Sequence, residues 1–292
     1  MTTIILGKNG FVGHSFEIKD SICPSKKECD LLNYNSTYKY FKKYKNKEIN
    51  IINLSAKVAG FIYNKDHNVE MLYENTLMSL NLIKILKELN IKTYMIYIAS
   101  VCCYDKSFKE NHIFDGKPHK LNFGYGFGKK NGIYALEALE IDKPNLIKYC
   151  VLVPTNMYGE YDDFNSETCH IIPNMIRQMR SNQNEIIVLG NCLNKRDFLY
   201  VKDLGNIIKL CYKNKITGIY NVSSNKTTSV KNIVLKLKNI IKYKGNIVFS
   251  TKDKRNNRNI SNLNLLKKIK YKFIDLNIGL KNTIIYYNNI IK

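Results

Sequence analysis

The chain has 292 residues, of which 45% are apolar, enough to bury one large core or two fused lobes without disulfide or metal staples. No apolar run approaches the ~18 residues of a membrane span. The start, Met1-Thr2-Thr3-Ile4-Ile5-Leu6-Gly7, lacks the basic stretch and long apolar run of a secretion signal, so a cytoplasmic protein is expected. The formal charge of +22 comes from lysines spread along the whole chain among many isoleucines and asparagines. This pattern suits compositional bias as well as a binding stripe; a solvated basic surface that also favours a small anionic ligand is expected, with no nucleic-acid or membrane partner. Eight cysteines include no C-x-x-C pair, and five histidines add no metal-ligand spacing, so free thiols and no metal are expected.

Strand and helix patterns alternate over the first two-thirds. Thr3–Leu6, Asn50–Leu54, Thr93–Ala99 and Leu146–Val153 read as short, continuously apolar strands, and Leu77–Leu89 as a helix. Short apolar strands alternating with helices predict a parallel sheet covered on both faces. From Val230 the pattern becomes a helix, a strand at Asn246–Ser250, a polar basic loop at 251–259 and a final helix near Asn282–Ile291. This tail predicts a smaller C-terminal α/β lobe.

The first strand runs into Gly7-Lys8-Asn9-Gly10-Phe11-Val12-Gly13, a G-x-x-G-x-x-G expected to open a helix. Gly7 permits a tight turn, Gly10 lets backbone N–H groups approach a pyrophosphate, and Gly13 allows close packing, with Phe11 and Val12 completing the loop. A dinucleotide cofactor is the implied ligand. The chain after the second strand, Cys23-Pro24-Ser25-Lys26-Lys27, lacks the carboxylate that would bind a ribose 2′-hydroxyl and offers two lysines instead; Lys8 is a third. A cationic pocket favours a 2′-phosphate, hence NADPH. Asp30 and Leu31 follow as candidate adenine contacts.

The third strand ends in Ala99-Ser100-Val101-Cys102-Cys103-Tyr104, and Tyr125-Gly126-Phe127-Gly128-Lys129 supplies a Y-x-x-x-K. The i, i+4 spacing puts Tyr125 and Lys129 on one helical face. A neighbouring ammonium would lower the tyrosine pKa from its usual ~10. Tyr125 would then protonate a carbonyl oxygen as hydride arrives at its carbon, with Ser100 holding that oxygen. The two glycines inside the motif weaken a helix and have no explanation at this level.

Over nearly its whole length the chain resembles the GDP-L-fucose synthase family, the GDP-4-keto-6-deoxy-D-mannose 3,5-epimerase/4-reductases among the extended short-chain dehydrogenase/reductases. The residues carrying the resemblance are the glycine loop, Ser55-Ala56-Lys57-Val58-Ala59-Gly60, Ser100 with Cys102, and Tyr125 with Lys129. Pro154-Thr155-Asn156-Met157-Tyr158-Gly159, His170-Ile171-Ile172-Pro173, the run Arg196–Asp203 and the Tyr243-Lys244-Gly245 turn complete it. The resemblance implies a Rossmann-type doubly wound parallel sheet with the smaller substrate lobe. Residues 1–156 and about 188–222 would hold NADP, and about 157–187 and 223–292 the nucleotide sugar. It adds Ser55, Ala56, Lys57, Pro154, Asn156 and His170 to the cofactor site.

The resemblance further implies that Cys102 and His170 form the acid/base pair of epimerisation. Arg196 would contact the nucleotide phosphates. Val101, Cys102, Asn156, Arg177, Lys252 and Arg258 would lie about the substrate, with Arg180 a weaker candidate. A homodimer pairing through helices is also implied, and Leu77–Leu89 is either its face or a core stripe. The sequence departs from the family at Val101, where a hydroxyl is usual, at Asp105, where proline is usual, and in the loop 251–262. These departures leave the sugar open between hexose and heptose, and leave open a C4-reductase on a related GDP-4-keto-6-deoxy-heptose without epimerisation. A non-catalytic basic nucleotide-binding protein on the same fold is the third alternative.

Overall fold

The computed structural model describes residues 1–181, 183–189, 192–250, 260 and 262–291, apart from the side chains of Phe61 and Ile62. In chain order the strands and α-helices are β1 (Thr2–Leu6), α1 (Tyr34–Phe41), β2 (Glu48–Asn53), α2 (Phe61–Asp66), α3 (Asn68–Glu88), β3 (Lys92–Ile98), α4 (Phe123–Asp142), β4 (Ile147–Pro154) and β5 (Asn156–Tyr158). They continue with α5 (Ile171–Arg180), β6 (Glu185–Val188), β7 (Lys195–Tyr200), α6 (Val201–Lys213), β8 (Gly218–Val222), β9 (Thr227–Ser229), α7 (Val230–Ile241), β10 (Asn246–Phe249), α8 (Leu263–Leu266) and α9 (Leu276–Ile290).

The large sheet has the order β1-β2-β3-β4-β8, every neighbour parallel. Its strands are apolar on consecutive residues because both faces are covered. On one face Ile4, Ile51, Met95 and Tyr97 pack with Leu82, Ile85 and Leu86 of α3 and Ile133 and Leu136 of α4. On the other Ile5, Ile52, Ile96 and Leu152 pack with Leu204, Ile207 and Ile208 of α6 and with Leu265. The apolar stripe expected at Leu77–Leu89 is thus core: Leu82, Ile85, Leu86 and Leu89 are buried. The outward face of α3 exposes Val69, Tyr73 and Leu80 instead.

A second body of structure follows β4. The strands β5-β7-β9 and the pair β6-β10 enclose a core of Ile172, Ile176, Val188, Val234, Leu237 and Leu280, contributed by α5, α7, α9 and these strands. The last helix starts at Leu276, earlier than the apolar pattern placed it, because the Asp275 side chain caps it by accepting from the Asn277 N–H. No described helix is long and apolar enough to cross a membrane.

One expectation fails beside β1. The glycine loop leads only into a single 3₁₀ turn, Gly13–Ser15, and no α-helix follows. The expected second strand shrinks to Ile22, which exchanges backbone hydrogen bonds with Thr3 and Ile5 at 2.8 and 2.9 Å. The reason is length. Only eight residues lie between Gly13 and Ile22, too few for a helix and the return to a parallel strand, which needs about a dozen. Phe16 fills the freed space, buried among the α6 side chains.

Candidate active site

The carboxyl ends of β1 to β4 deliver the site. After β1, Gly7 sits at φ +77, and a Cβ there would stand 2.9 Å from the Ser55 nitrogen at the end of β2. A Cβ at Gly13 would overlap the Lys8 backbone, whereas Gly10 has only the Gly7 carbonyl oxygen near it, at 3.3 Å. The loop therefore closes on itself while leaving its Gly10 backbone open, the shape a pyrophosphate needs. Phe11 and Val12 are half-buried and anchor the loop to the second core. The Lys8 ammonium donates to the Gly13 carbonyl at 2.8 Å, so this lysine tightens the loop.

Lys26 and Lys27 are exposed in a turn past Ile22. Asp30 forms a local turn, its Oδ1 accepting from the Leu32 N–H at 3.1 Å, and Leu31 is buried in the core. Ser55 and Ala56 are half-buried, and the Ser55 backbone lies against Gly7. Lys57 is held differently from expectation: its ammonium pairs with Glu74 at 2.9 Å and with Glu70, and the Glu70 hydrogen bond drives its pKa upward. Its backbone is bracketed by the buried Asn75 amide, which accepts from the Lys57 N–H and donates to the Lys57 carbonyl, both at 3.1 Å. Asn75 was missed from sequence, although a polar residue recurring on the buried face of α3 was a legible signal.

After β3, Ser100 begins a 3₁₀ turn and its hydroxyl accepts from the Cys102 N–H at 3.2 Å. The same hydroxyl acts on the Tyr125 phenol. Burial raises the Tyr125 pKa well above its ordinary value, the neighbouring Cys102 and Cys103 add to this, and Ser100 opposes it. The expected lowering by Lys129 is therefore not the net effect. Lys129 is itself buried, which brings its pKa down to about 8, and its ammonium rests 4.4 Å from the Tyr97 ring centre.

The glycines of the Y-x-x-x-K motif acquire a reason. Gly124 and Gly128 face α3, where a Cβ at 128 would stand 2.7 Å from the Asn75 Cβ; Gly126 faces the Cys102 carbonyl and Pro118, and Gly132 the Tyr97 phenol and Ser79. Cys102 is half-buried beside Ser100, and burial pushes the neighbouring Cys103 up to about 12. Val101 is 4% exposed, packed in the core with Cys103 and Ile113. Asp105 lies against Gly116, where any Cβ would strike its carboxylate. Both departures from the resemblance are thus absorbed by the core and a loop.

A cavity of about 400 Å³ brings together Asn156, His170 and Arg196 with Asn174, Gln178 and Leu189. Pro154, buried at the end of β4, leads into Asn156, whose amide donates to the Asp197 carbonyl at 2.8 Å and ties the cavity floor to β7. Asp197 is fully buried and accepts from Thr155, Ser223, Ser224 and the Lys226 N–H. His170 precedes α5. It is an exposed residue lining the cavity, and the protein around it holds its pKa below the ordinary value, with Asp163 opposing. Arg177 does not line the cavity; it donates to Asn174 at 3.0 Å. Arg180 is exposed. Lys252 and Arg258 lie outside the described residues. Among the described residues no group of His, Cys, Asp and Glu is arranged to hold a metal ion.

Residues 3–223 match the family model of the NAD dependent epimerase/dehydratase family. The chain belongs to this family. It is 26% identical to GDP-L-fucose synthase of Dictyostelium discoideum, over 90% of this chain and 88% of that one. It is 27% identical to GDP-L-colitose synthase of Yersinia pseudotuberculosis, over 99% and 98%. A solved structure of GDP-mannoheptose C4 reductase from Campylobacter jejuni with NADP bound superposes with a TM-score of 0.83 at 19% identity, covering 98% of each chain, and shares the fold.

Proposed function

We propose that this epimerase/dehydratase-family protein is an NADPH-dependent oxidoreductase that reduces the C4 ketone of a GDP-4-keto-6-deoxy sugar and epimerises C3 and C5. The observation that carries the reading is the buried Ser100 and Lys129 with the half-buried Tyr125, on a chain whose glycine loop has a shape that fits a dinucleotide. The names of the relatives, which are GDP-sugar enzymes, support the substrate class.

Gly7, Gly10 and Gly13 with Phe11 and Val12 would hold the pyrophosphate, and Lys26 and Lys27 the 2′-phosphate. When bound, the reduced nicotinamide supplies a hydride equivalent. Tyr125, kept protonated by burial, donates its proton to the C4 oxygen, and Ser100 orients that oxygen by a hydrogen bond. The Lys129 cation, close to its proton-exchange range, restores the proton to Tyr125. For epimerisation the C4 ketone acidifies the protons at C3 and C5. Cys102, as thiolate, removes one, and His170, as imidazolium, returns one to the opposite face. Arg196 would pair with the diphosphate, while Asn156 orients the sugar. Residues 1–156 and about 188–222 would form the cofactor part and 157–187 with 223–292 the sugar part. Val69, Tyr73 and Leu80, which share one face of α3, would pair two copies in a homodimer.

The experiment is turnover of purified protein with NADPH and a panel of GDP-4-keto-6-deoxy hexoses and heptoses, followed by loss of NADPH absorbance and by product stereochemistry. Failure to oxidise NADPH with any of them would refute the reading.

A further inference from the structure

Two consecutive lysines of α4 are buried, and they are held in different ways. Lys130 donates to the Asp115 and Gly116 carbonyls at 3.0 and 3.3 Å, ordinary acceptors for an ammonium. Lys129 lies over an aromatic ring instead, its Nζ 4.4 Å from the centre of Tyr97 near the end of β3. Tyr97 is itself buried, and its ring is fixed from two sides. Its phenol donates to the Lys129 carbonyl at 3.2 Å and lies 3.5 Å from the Ser79 hydroxyl of α3. Ser79 in turn donates to the Asn75 carbonyl at 3.2 Å. A Cβ at Gly132 would overlap the phenol, so the glycine leaves room for the far end of the ring. The residue that carries the ammonium thus also anchors, through its backbone, the ring beneath that ammonium.

The titratable and charged groups about Lys129 are few. β3 presents Tyr97, whose phenol is kept protonated by burial. The turn after β3 presents Cys103, pushed up to about 12 by burial and so a neutral thiol near pH ~7. On α4 itself stand Tyr125, also raised by burial, and Lys130, on which Asp115 and Asp105 act. α3 meets this stretch of α4 with the uncharged Asn75 and Ser79, and β4 adds the apolar Val151 and Val153 to the shared core. None of the groups facing the ammonium is an anion near neutrality. A buried cation without a counter-charge is costly, and the electron-rich face of a ring offsets that cost. A carboxylate in the same place would also support the cation, but it would cancel the field that Lys129 exerts on Tyr125. A ring face supports the charge and leaves its field intact.

We propose that Tyr97 is a positioning residue that seats the Lys129 ammonium: its ring face, fixed by the Lys129 carbonyl, keeps the cation in place one helical turn from Tyr125 without pairing it to an anion. This rests on the reading of Tyr125 as proton donor to the C4 oxygen and of Lys129 as the group that restores its proton. In that step NADPH gives a hydride to C4 and becomes NADP, and Tyr125 gives its proton to the C4 oxygen. The Lys129 ammonium then gives a proton to the tyrosinate, and the amine left behind takes one from solvent. One hydride and one proton are consumed for each ketone reduced, and the Tyr97 ring favours the return of Lys129 to its charged form.

The test compares full chains of wild type, Tyr97→Phe, Tyr97→Leu and a variant with trifluorophenylalanine at position 97. Phenylalanine keeps the electron-rich face, trifluorophenylalanine keeps the ring's shape but withdraws electron density from its face, and leucine removes the ring. The first readout is the NMR titration of the Lys129 ammonium in lysine-labelled protein, assigned with Lys129→Met. The second is the pH profile of NADPH oxidation at saturating GDP-4-keto-6-deoxymannose. Tyr97→Phe should keep the Lys129 midpoint within about 0.3 of a unit of wild type. The fluorinated ring and Tyr97→Leu should lower it by about one unit, tenfold in proton affinity, and should move the alkaline fall of turnover to lower pH by the same amount. The fluorinated variant decides where Tyr97→Leu folds poorly, because it differs from Tyr97→Phe only in the charge distribution of the ring. An unmoved midpoint with the fluorinated ring overturns the proposal, as does an equal shift in Tyr97→Phe, which would give the role to the hydroxyl. A shifted midpoint with an unshifted alkaline fall overturns the positioning role. Failure of wild type to oxidise NADPH overturns the reductase reading, while the NMR titration still decides whether the ring seats the cation.

Discussion

Gly128 of α4 lies directly against Asn75 of α3, so closely that a Cβ at 128 would stand 2.7 Å from the Asn75 Cβ. The contact has two consequences. It lets α3 and α4 approach along a stripe of glycines, and it holds the Asn75 amide where it brackets the Lys57 backbone. Gly128→Ala would stabilise an exposed helix by up to ~1 kcal/mol. Here it should destabilise the protein by about 1–3 kcal/mol through overpacking. The urea unfolding midpoint checks this; a midpoint equal to or above that of wild type would show that the helices have room to separate.

Tyr125 is raised by burial and is therefore a proton donor across the neutral range. Tyr125→Phe keeps the ring and removes the donor. Turnover should fall ~10²-fold or more, while NADPH affinity, measured by fluorescence titration, stays within about twofold of wild type. Near-normal turnover would place the proton donor elsewhere.

Lys8 and the pair Lys26 and Lys27 should separate cleanly. Lys8 is tied to the Gly13 carbonyl, so Lys8→Met should weaken NADPH and NADH alike by loosening the loop. Lys26→Gln with Lys27→Gln should erode only the preference for NADPH, by roughly tenfold for the loss of about one charge-assisted contact. Parallel titrations of both cofactors decide it: an unchanged preference in the double variant would remove these lysines from the 2′-phosphate site.

Burial brings Lys129 down to about 8, so its cation is complete below that pH and is lost as pH rises through it. Turnover at saturating substrate should therefore decline above pH ~8, far earlier than a free lysine at ~10.4 would dictate. A kcat profile flat to pH ~9.5 would show that the Lys129 charge is not used in the slow step. The same depression means that the unfolded chain binds the Lys129 proton more readily between about 8 and the free value. This group's contribution to stability therefore rises with pH in that window.

The parallel sheet, the glycine loop after β1, and the places of Ser100 after β3 and of Tyr125 and Lys129 on α4 were legible in the sequence because each depends on local spacing: consecutive apolar residues, three glycines at three-residue intervals, and a tyrosine and lysine one helical turn apart. The Val230–Ile241 helix was legible end to end for the same reason. What only the tertiary structure decided depends on partners far away in the chain. The helix expected after Gly13 is absent because the chain must return to β1 within nine residues and Phe16 takes the space beneath α6. Val101, a candidate substrate contact by position, turns into the core. Lys57, a candidate cofactor contact, is paired with two carboxylates on α3. The glycines in the Y-x-x-x-K motif looked like defects of α4; Gly128 is a contact with α3, and Gly126 makes room for the Cys102 carbonyl and Pro118. Sequence spacing records the direction a backbone sends a side chain; what meets it there, and so its charge state and its use, is set by packing between segments dozens of residues apart.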